Sequence, residues 1–249
     1  GLISIMLGSV LLEWNDLEGA DHALNKGLEA AKLAPGLVEE IRWMGGLALA
    51  RLKIAQGNFD GLSDLVDWIT QSERWSKEQV ETIRTHIYLL RSHREPQYLD
   101  YALRLIGERR LEPAKAEWDW EIWDKLIWAR ALIKQSRFAL PAGRQPDLQS
   151  VLDFLDAQYR IVEEQGWVEL MINILIVQAL AFHAQSKEDQ AHNRLERALT
   201  LAKPDGYIRI FIDEGPCMAL LLYQAVQRGI MPEYAGKLLA AFEVTSKDK

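Results

Sequence analysis

Four tryptophans, Trp118, Trp120, Trp123 and Trp128, crowd one short stretch of the chain. Aromatic rings at that density can stack on a sugar or a peptide, or can wedge neighbouring helices apart. Helical spacing separates Trp123 from Trp128, so Trp123 is the candidate for an exposed position and the others read as core. A second set is cationic. With the first helix of each successive hairpin projected onto an inner wall, the residues facing inward are Met44 and Arg51, then Arg84, Ile87 and Arg91. They continue as Trp123, Arg130 and Lys134, then Asn173 and His183. Such a row would form a basic groove suited to an anionic or hydroxyl-rich ligand, gripped by fork-shaped arginine contacts. The competing reading pairs the same charges with Asp and Glu of adjacent units.

Chemistry of other kinds has no visible seat. The chain contains neither G-x-x-x-x-G-K-[ST] nor G-x-G-x-x-G, the loops that cradle phosphates, and neither H-E-x-x-H nor a G-x-S-x-G elbow. His86 and His93 lie seven apart on one helix, two turns from each other, which is a poor start for a shared metal. The carboxylate pairs Glu39-Glu40 and Glu163-Glu164 sit on helices that look solvated. The sequence therefore reads as a binding protein without catalysis, metal or cofactor.

Composition agrees with that class. A hydrophobic share of 49% and a charged share of 26% are ordinary for a globular protein and argue against disorder. The formal net charge of −7 argues against a broad grip on nucleic acid, which depends on clustered Lys and Arg. The most apolar stretch, Leu170 to His183, is interrupted by Asn173 and Gln178 and reads as a buried helix, so no membrane partner is expected. A single cysteine, Cys217, cannot form an internal disulfide and suits a cytoplasmic setting, its plainest reading being a small core residue. The start, Gly1-Leu-Ile-Ser-Ile5, resembles neither a signal peptide nor a natural beginning and reads as a cut inside a longer chain.

The elements that must position these residues are all helical by pattern. Apolar residues recur at three and four positions, and the spacing predicts helices at about 2–14, 17–32, 37–56, 59–71, 76–93 and 98–109. Further helices are predicted at about 113–136, 147–165, 167–185, 187–202, 215–228 and 231–243. Breaks fall at Pro35-Gly36, Gly57-Asn58, Glu95-Pro96, Pro141-Ala-Gly143, Pro146, Gly166, Pro204-Asp-Gly206 and Gly215-Pro216. Short loops force alternate helices to run back, which makes hairpins. In the first hairpin Gly8 and Ala20 are small where the helices approach, and Leu11, Leu17 and Leu24 fill the seam. Gln56-Gly57-Asn58-Phe59 restates the turn, and Ala179, Phe182, Ala191, Leu195 and Ala198 restate the seam. Weaker copies turn at Arg94 to Leu99 and at Gln135 to Phe138, and Leu140 to Asp147 reads as an insert in the fourth unit. This is the spacing of a tetratricopeptide-like array, an all-α superhelix of hairpins with a concave inner surface. The array is expected over residues 1–203 and a closing segment over 204–249, the latter made of an extended strip and two helices. Within that strip Ile208, Ile210 and Ile212 alternate as a buried strand would, between turns at Gly206 and Gly215.

The tail also carries a resemblance. Ala198-Leu-Thr-Leu-Ala-Lys-Pro-Asp-Gly206, Tyr207-Ile-Arg-Ile-Phe-Ile-Asp-Glu-Gly215 and Tyr234-Ala-Gly-Lys-Leu-Leu-Ala-Ala-Phe242 together resemble the end of the helical sensor region in MalT-like activators of the LuxR class. The resemblance is concentrated over about residues 187–243. It implies an effector-sensing array whose partners are a small-molecule effector or a regulatory protein and the other domains of a transcriptional regulator, which carry an ATP-hydrolysing switch and a DNA-binding helix-turn-helix. ATP and DNA would then belong to those domains and not to this stretch. A free-standing tetratricopeptide scaffold that binds peptide segments is the second reading, and an enzyme with an unrecognised site the third.

Overall fold

In the computed structural model the described residues are 1–31, 38–71, 75–106, 119–137 and 146–247. Among them every regular element is an α-helix: α1 (Leu2–Glu13), α2 (Leu17–Ala31), α3 (Val38–Gln56), α4 (Leu62–Thr70), α5 (Lys77–Arg91), α6 (Gln97–Ile106) and α7 (Asp119–Ser136). The series continues with α8 (Leu148–Gln165), α9 (Val168–Ala184), α10 (Glu188–Ala202), α11 (Arg209–Ile212), α12 (Pro216–Gln227) and α13 (Pro232–Lys247). The Pro35-Gly36 break, Trp118 and most of the expected insert (140–145) lie outside the described residues.

Local chemistry sets the boundaries. Ser76 and Gln79 form a reciprocal capping box at the start of α5, and the Asp147 carboxylate caps α8 by accepting from the amides of Gln149 and Ser150. Gly166 ends α8 in the left-handed conformation, and the chain turns directly into α9.

Paired helices bury their apolar stripes against each other, and each pair then stacks on the next. The first helices form a continuous row, α1 on α3, α3 on α5, α5 on α7 and α7 on α9. Where α1 meets α2, a side chain at Gly8 would run into Leu24, whose Cγ lies 2.6 Å from the position a Cβ would occupy. Only glycine lets the two helices come this close, and buried Ala20 shares that seam. Ala179, Ala191, Leu195 and Ala198 are likewise fully buried between α9 and α10. The fold is thus the all-α superhelix of hairpins that the sequence pattern implies.

After α10 the chain turns inward. Residues 205–215 lie against the inner ends of the row, and α11 touches α1 at the far end of the array. The Ile208 amide donates to the Glu13 carbonyl (2.8 Å), and the indole N–H of Trp14 donates to the Asp205 carbonyl (2.8 Å). Here the expectation of an extended strip is overturned, because Arg209–Ile212 is one turn of helix. Alternation of the isoleucines misled because Arg209 and Phe211 are buried as well, so no face of this turn is free to carry a polar stripe. The flanking turns are as expected, with Gly206 at φ 69° and Gly215 at φ 76°. At Gly215 the reason is double, since a side chain there would also collide with the His93 ring.

Candidate functional site

The row of first helices surrounds a central chamber of about 120 Å³. Every one of them contributes: Glu13 closes α1, Arg51 comes from α3, His86 from α5, Trp123, Arg130 and Lys134 from α7, and Glu169 and Asn173 from α9. Ile210, Asp213 and Glu214 line it from the closing segment.

Charge in this chamber is paired. Arg51 Nη2 lies 2.7 Å from Glu13 Oε1 and 2.8 Å from Asp213 Oδ2, so one guanidinium joins the first hairpin, the second hairpin and the closing segment. Arg209 donates to the other Asp213 oxygen. Arg130 Nε donates to Glu214 Oε1 at 2.6 Å, and its Nη2 to Asn173 Oδ1 at 2.9 Å. Burial works against the charge on Arg51, but Glu13 and Asp213 outweigh it and raise its pKa. Burial would likewise raise Asp213, yet Arg209 and Arg51 hold it below the usual carboxylate range. Glu169 is different: burial, followed by repulsion from Glu13, pushes its pKa up.

His86 of α5 lines the chamber, and His93 follows in the turn just past the end of α5. Burial, then the positive charges of Arg51 and Arg130, depress His86 to about 3, so its ring is neutral. Its Nδ1 is buried with no hydrogen-bond partner. The ring packs edge-on to Trp123 at 5.3 Å between centroids, and Trp123 in turn packs edge-on to Trp43 at 5.4 Å. His93 is depressed to about 3 by burial and then by Lys134, and its Nε2 lies 3.1 Å from the Asp213 carbonyl oxygen.

The residues singled out from sequence therefore divide. Arg51, Trp123, Arg130, Lys134 and Asn173 meet at the chamber. Arg84 does not; it pairs with Asp67 at 3.0 Å on the exposed side of the α4–α5 seam. Arg91 pairs with Glu95 and lies over the rings of Phe59 (4.7 Å) and Tyr98 (3.9 Å). His183 contacts Glu188 across the α9–α10 turn, 2.9 Å away, and does not line the chamber. Trp128 is core and Met44 is exposed, whereas the side chain of Trp120 lies outside the described residues.

The wall is not basic, which corrects the charge expected of it. Glu13, Glu169, Asp213 and Glu214 line the chamber beside Arg51, Arg130 and Lys134, so anions gain no net attraction there. Sequence reasoning missed these four acids. Glu13 ends its helix, Glu169 begins one, and Asp213 and Glu214 belong to a segment remote in sequence. The glycines at 206 and 215, which mark a chain forced through tight turns, were the one signal that could have found the last two. Among the described residues no group of three or more His, Cys, Asp or Glu could hold a metal ion. No helix among them is long and apolar enough to cross a membrane.

Among known families, the model for the MalT-like TPR region matches residues 1–228. No curated protein matches the chain.

Proposed function

The chain belongs to the family of MalT-like TPR regions, and from that membership we propose that it is the effector-sensing and interaction module of a transcriptional regulator of the LuxR class. The effector would be a small hydroxyl-rich molecule held in the central chamber. In this reading the module itself neither catalyses nor binds a cofactor. ATP and DNA are handled by other domains of such a regulator, and the setting is cytoplasmic.

The observation that carries the reading is the convergence of all five first helices and the closing segment on one chamber. A molecule bound there touches every hairpin, so its binding energy bears on the geometry of the whole array. The lining favours hydroxyl groups. Carboxylates and the Asn173 amide accept hydrogen bonds, Arg51 and Arg130 donate them, and the unpartnered His86 Nδ1 offers one more position. Trp123 supplies an aromatic wall of the sort that packs on sugar rings. The chamber is smaller than the apolar cavity of about 150 Å³ that holds benzene, so what it encloses is a small polyol or part of a sugar ring. A peptide-binding scaffold is less well supported, because residues 205–215 of the chain itself occupy the concave wall that an extended peptide would follow.

Thermal denaturation with a panel of sugars and polyols tests the proposal. A ligand at a hundred times its Kd should stabilise the fold by about 2.7 kcal/mol. Glu169→Gln and Trp123→Ala should each remove most of that shift while the unliganded protein stays folded. If no compound shifts the midpoint, or if the shift survives both substitutions, the chamber is not an effector site.

A further inference from the structure

The concave interior holds a second chamber. Arg130, Lys134 and Glu214 line both chambers and so form the partition between them. Beyond this partition lies a space of about 330 Å³ whose character differs sharply from the first. Its walls are apolar, built from Pro96, Leu99, Ile133, Leu180 and Pro216, and its polar end carries Lys134, Arg137 and Cys217.

Lys134 is the unusual residue. It is a partly buried ammonium that donates to the Leu89 carbonyl at 2.9 Å and the Ser92 hydroxyl at 3.3 Å and lies 3.0 Å from His93 Nε2, so its hydrogen-bonding partners among the described residues are neutral. The nearest acid of the lining, Glu214, is hydrogen-bonded to Arg130. Arg137, just past the end of α7, is set against the Cys217 sulfur. Among the described residues the chamber therefore presents two cations to an apolar space, and the one carboxylate of that lining is already matched by a third cation.

We propose that this second chamber binds a small amphipathic anion, a carboxylate with a medium-length hydrocarbon tail. The tail lies among Leu99, Ile133 and Leu180 and the carboxylate lies at Lys134 and Arg137. A ligand of this kind satisfies both features at once. The tail removes apolar surface from water, and the head supplies the negative charge that Lys134 lacks. A neutral apolar ligand would leave that charge unmatched, and a bare inorganic anion would leave the apolar walls wet. The central chamber cannot substitute, because carboxylates line it on several sides. The site thus differs in place and in ligand chemistry from the proposed effector site.

Octanoate and 1-octanol are suitable probes, since they share a tail length and differ in the head. Titration calorimetry on the intact chain should show octanoate binding at least about tenfold more tightly than octanol, the value of one good charge-assisted contact. Arg137→Gln, at a largely exposed side chain, should weaken octanoate about fivefold or more and leave octanol unchanged. Raising the pH from 6.5 to 9.5 should weaken octanoate as well. Burial lowers Lys134 to about 8, with Arg130 adding to the shift and Glu214 and Cys217 opposing it, while His93 beside it stays neutral. The ammonium is therefore charged at the lower pH and largely neutral at the higher. Cys217 is the one cysteine of the chain, so the rate of its alkylation by iodoacetamide reports this chamber alone, and octanoate should slow it. Equal affinity for the two probes, an octanoate affinity insensitive to both Arg137→Gln and pH, or unchanged alkylation of Cys217 would each overturn the assignment. None of these readouts depends on whether the central chamber takes a sugar.

Discussion

The α9–α10 hairpin and the closing segment at 205–215 are both buried, but they are held in opposite ways. Between α9 and α10 the contact is apolar and close, with Ala179, Ala191, Leu195, Ala198 and Leu199 fully shielded. The closing segment instead reaches its neighbours through Arg51, Glu13 and Asp213, through Arg130 and Glu214, and through backbone groups donated to or accepted from α1. Apolar burial stabilises wherever surface leaves water and needs no particular geometry. Buried ion pairs gain little net stability, because desolvation consumes most of the attraction, yet losing one partner is severe. A segment fastened in the second way holds firmly while every partner is in place and loosens when one is diverted. In the proposed sensor, a ligand that competes for Arg51 or Arg130 acts on the closing segment and leaves the hairpin seams untouched.

The sharpest test sets one residue of each region side by side. Asp213→Ala removes the carboxylate that holds Arg209 and one of the two that hold Arg51, and should cost about 3–5 kcal/mol, the usual penalty for a broken buried pair. Leu195→Ala should cost about 2–5 kcal/mol through the cavity it leaves in the α9–α10 seam. The two differ in where the loss appears. Hydrogen exchange should show residues 205–215 unprotected in Asp213→Ala while α9 and α10 keep their protection, whereas Leu195→Ala should lower protection across the hairpin. Uniform loss in both variants would mean that the two regions unfold as one unit.

Acid offers a second, smaller handle on the same contrast. His86 and His93 have folded-state values of about 3 against an ordinary 6.5, so below pH 6.5 the unfolded chain binds protons that the folded chain refuses. Asp213 acts in the same direction at lower pH, since its folded-state value lies below the ordinary one and its contribution disappears as it protonates. Stability should therefore fall as pH drops from 7 towards 4, by up to about 1.4 kcal/mol per pH unit for each histidine. The α9–α10 seam contributes nothing of this kind through its fully buried alanines and leucines. A stability profile that is flat between pH 7 and pH 5 would show that the histidines are not shut inside the folded interior.

The same division explains what the sequence could disclose. Hairpin seams repeat locally, so Gly8, Ala20, Leu195 and Ala198 announce themselves by spacing and size. On α7 the inward stripe of Trp123, Ile127, Arg130 and Lys134 follows a four-and-three pattern that is visible in the chain. On α5 the expected stripe of Arg84, Ile87 and Arg91 misses His86, which lines the chamber two residues on from Arg84. Two positions are about 200° around a helix, enough to carry a side chain to the opposite face. The pairing of Arg51 with Asp213 spans 162 residues of chain and leaves no periodic trace at all. Its location depends on how far the array curves before the closing segment returns to α1, and no local pattern encodes that curvature.

The smallest expected effect concerns the latch at the far end of the array. Trp14 is half exposed, so its ring contributes modestly to the core, but its indole N–H donates to the Asp205 carbonyl across 191 residues of sequence. Trp14→Phe keeps an aromatic ring and removes only the donor. A hydrogen bond of this kind contributes about 0.5–1.5 kcal/mol net. If the closing segment opens independently of the hairpins, that cost should appear in the local opening of residues 205–208 measured by hydrogen exchange, and the global melting temperature should barely move. The paired substitution Trp14→Phe with Asp213→Ala separates two forms of fastening. Additive costs would show that the latch at α1 and the ion pairs at the centre hold the segment independently. A combined cost smaller than the sum would show that releasing the centre already frees the latch, which is the behaviour needed for a ligand in the central chamber to be felt at the first hairpin.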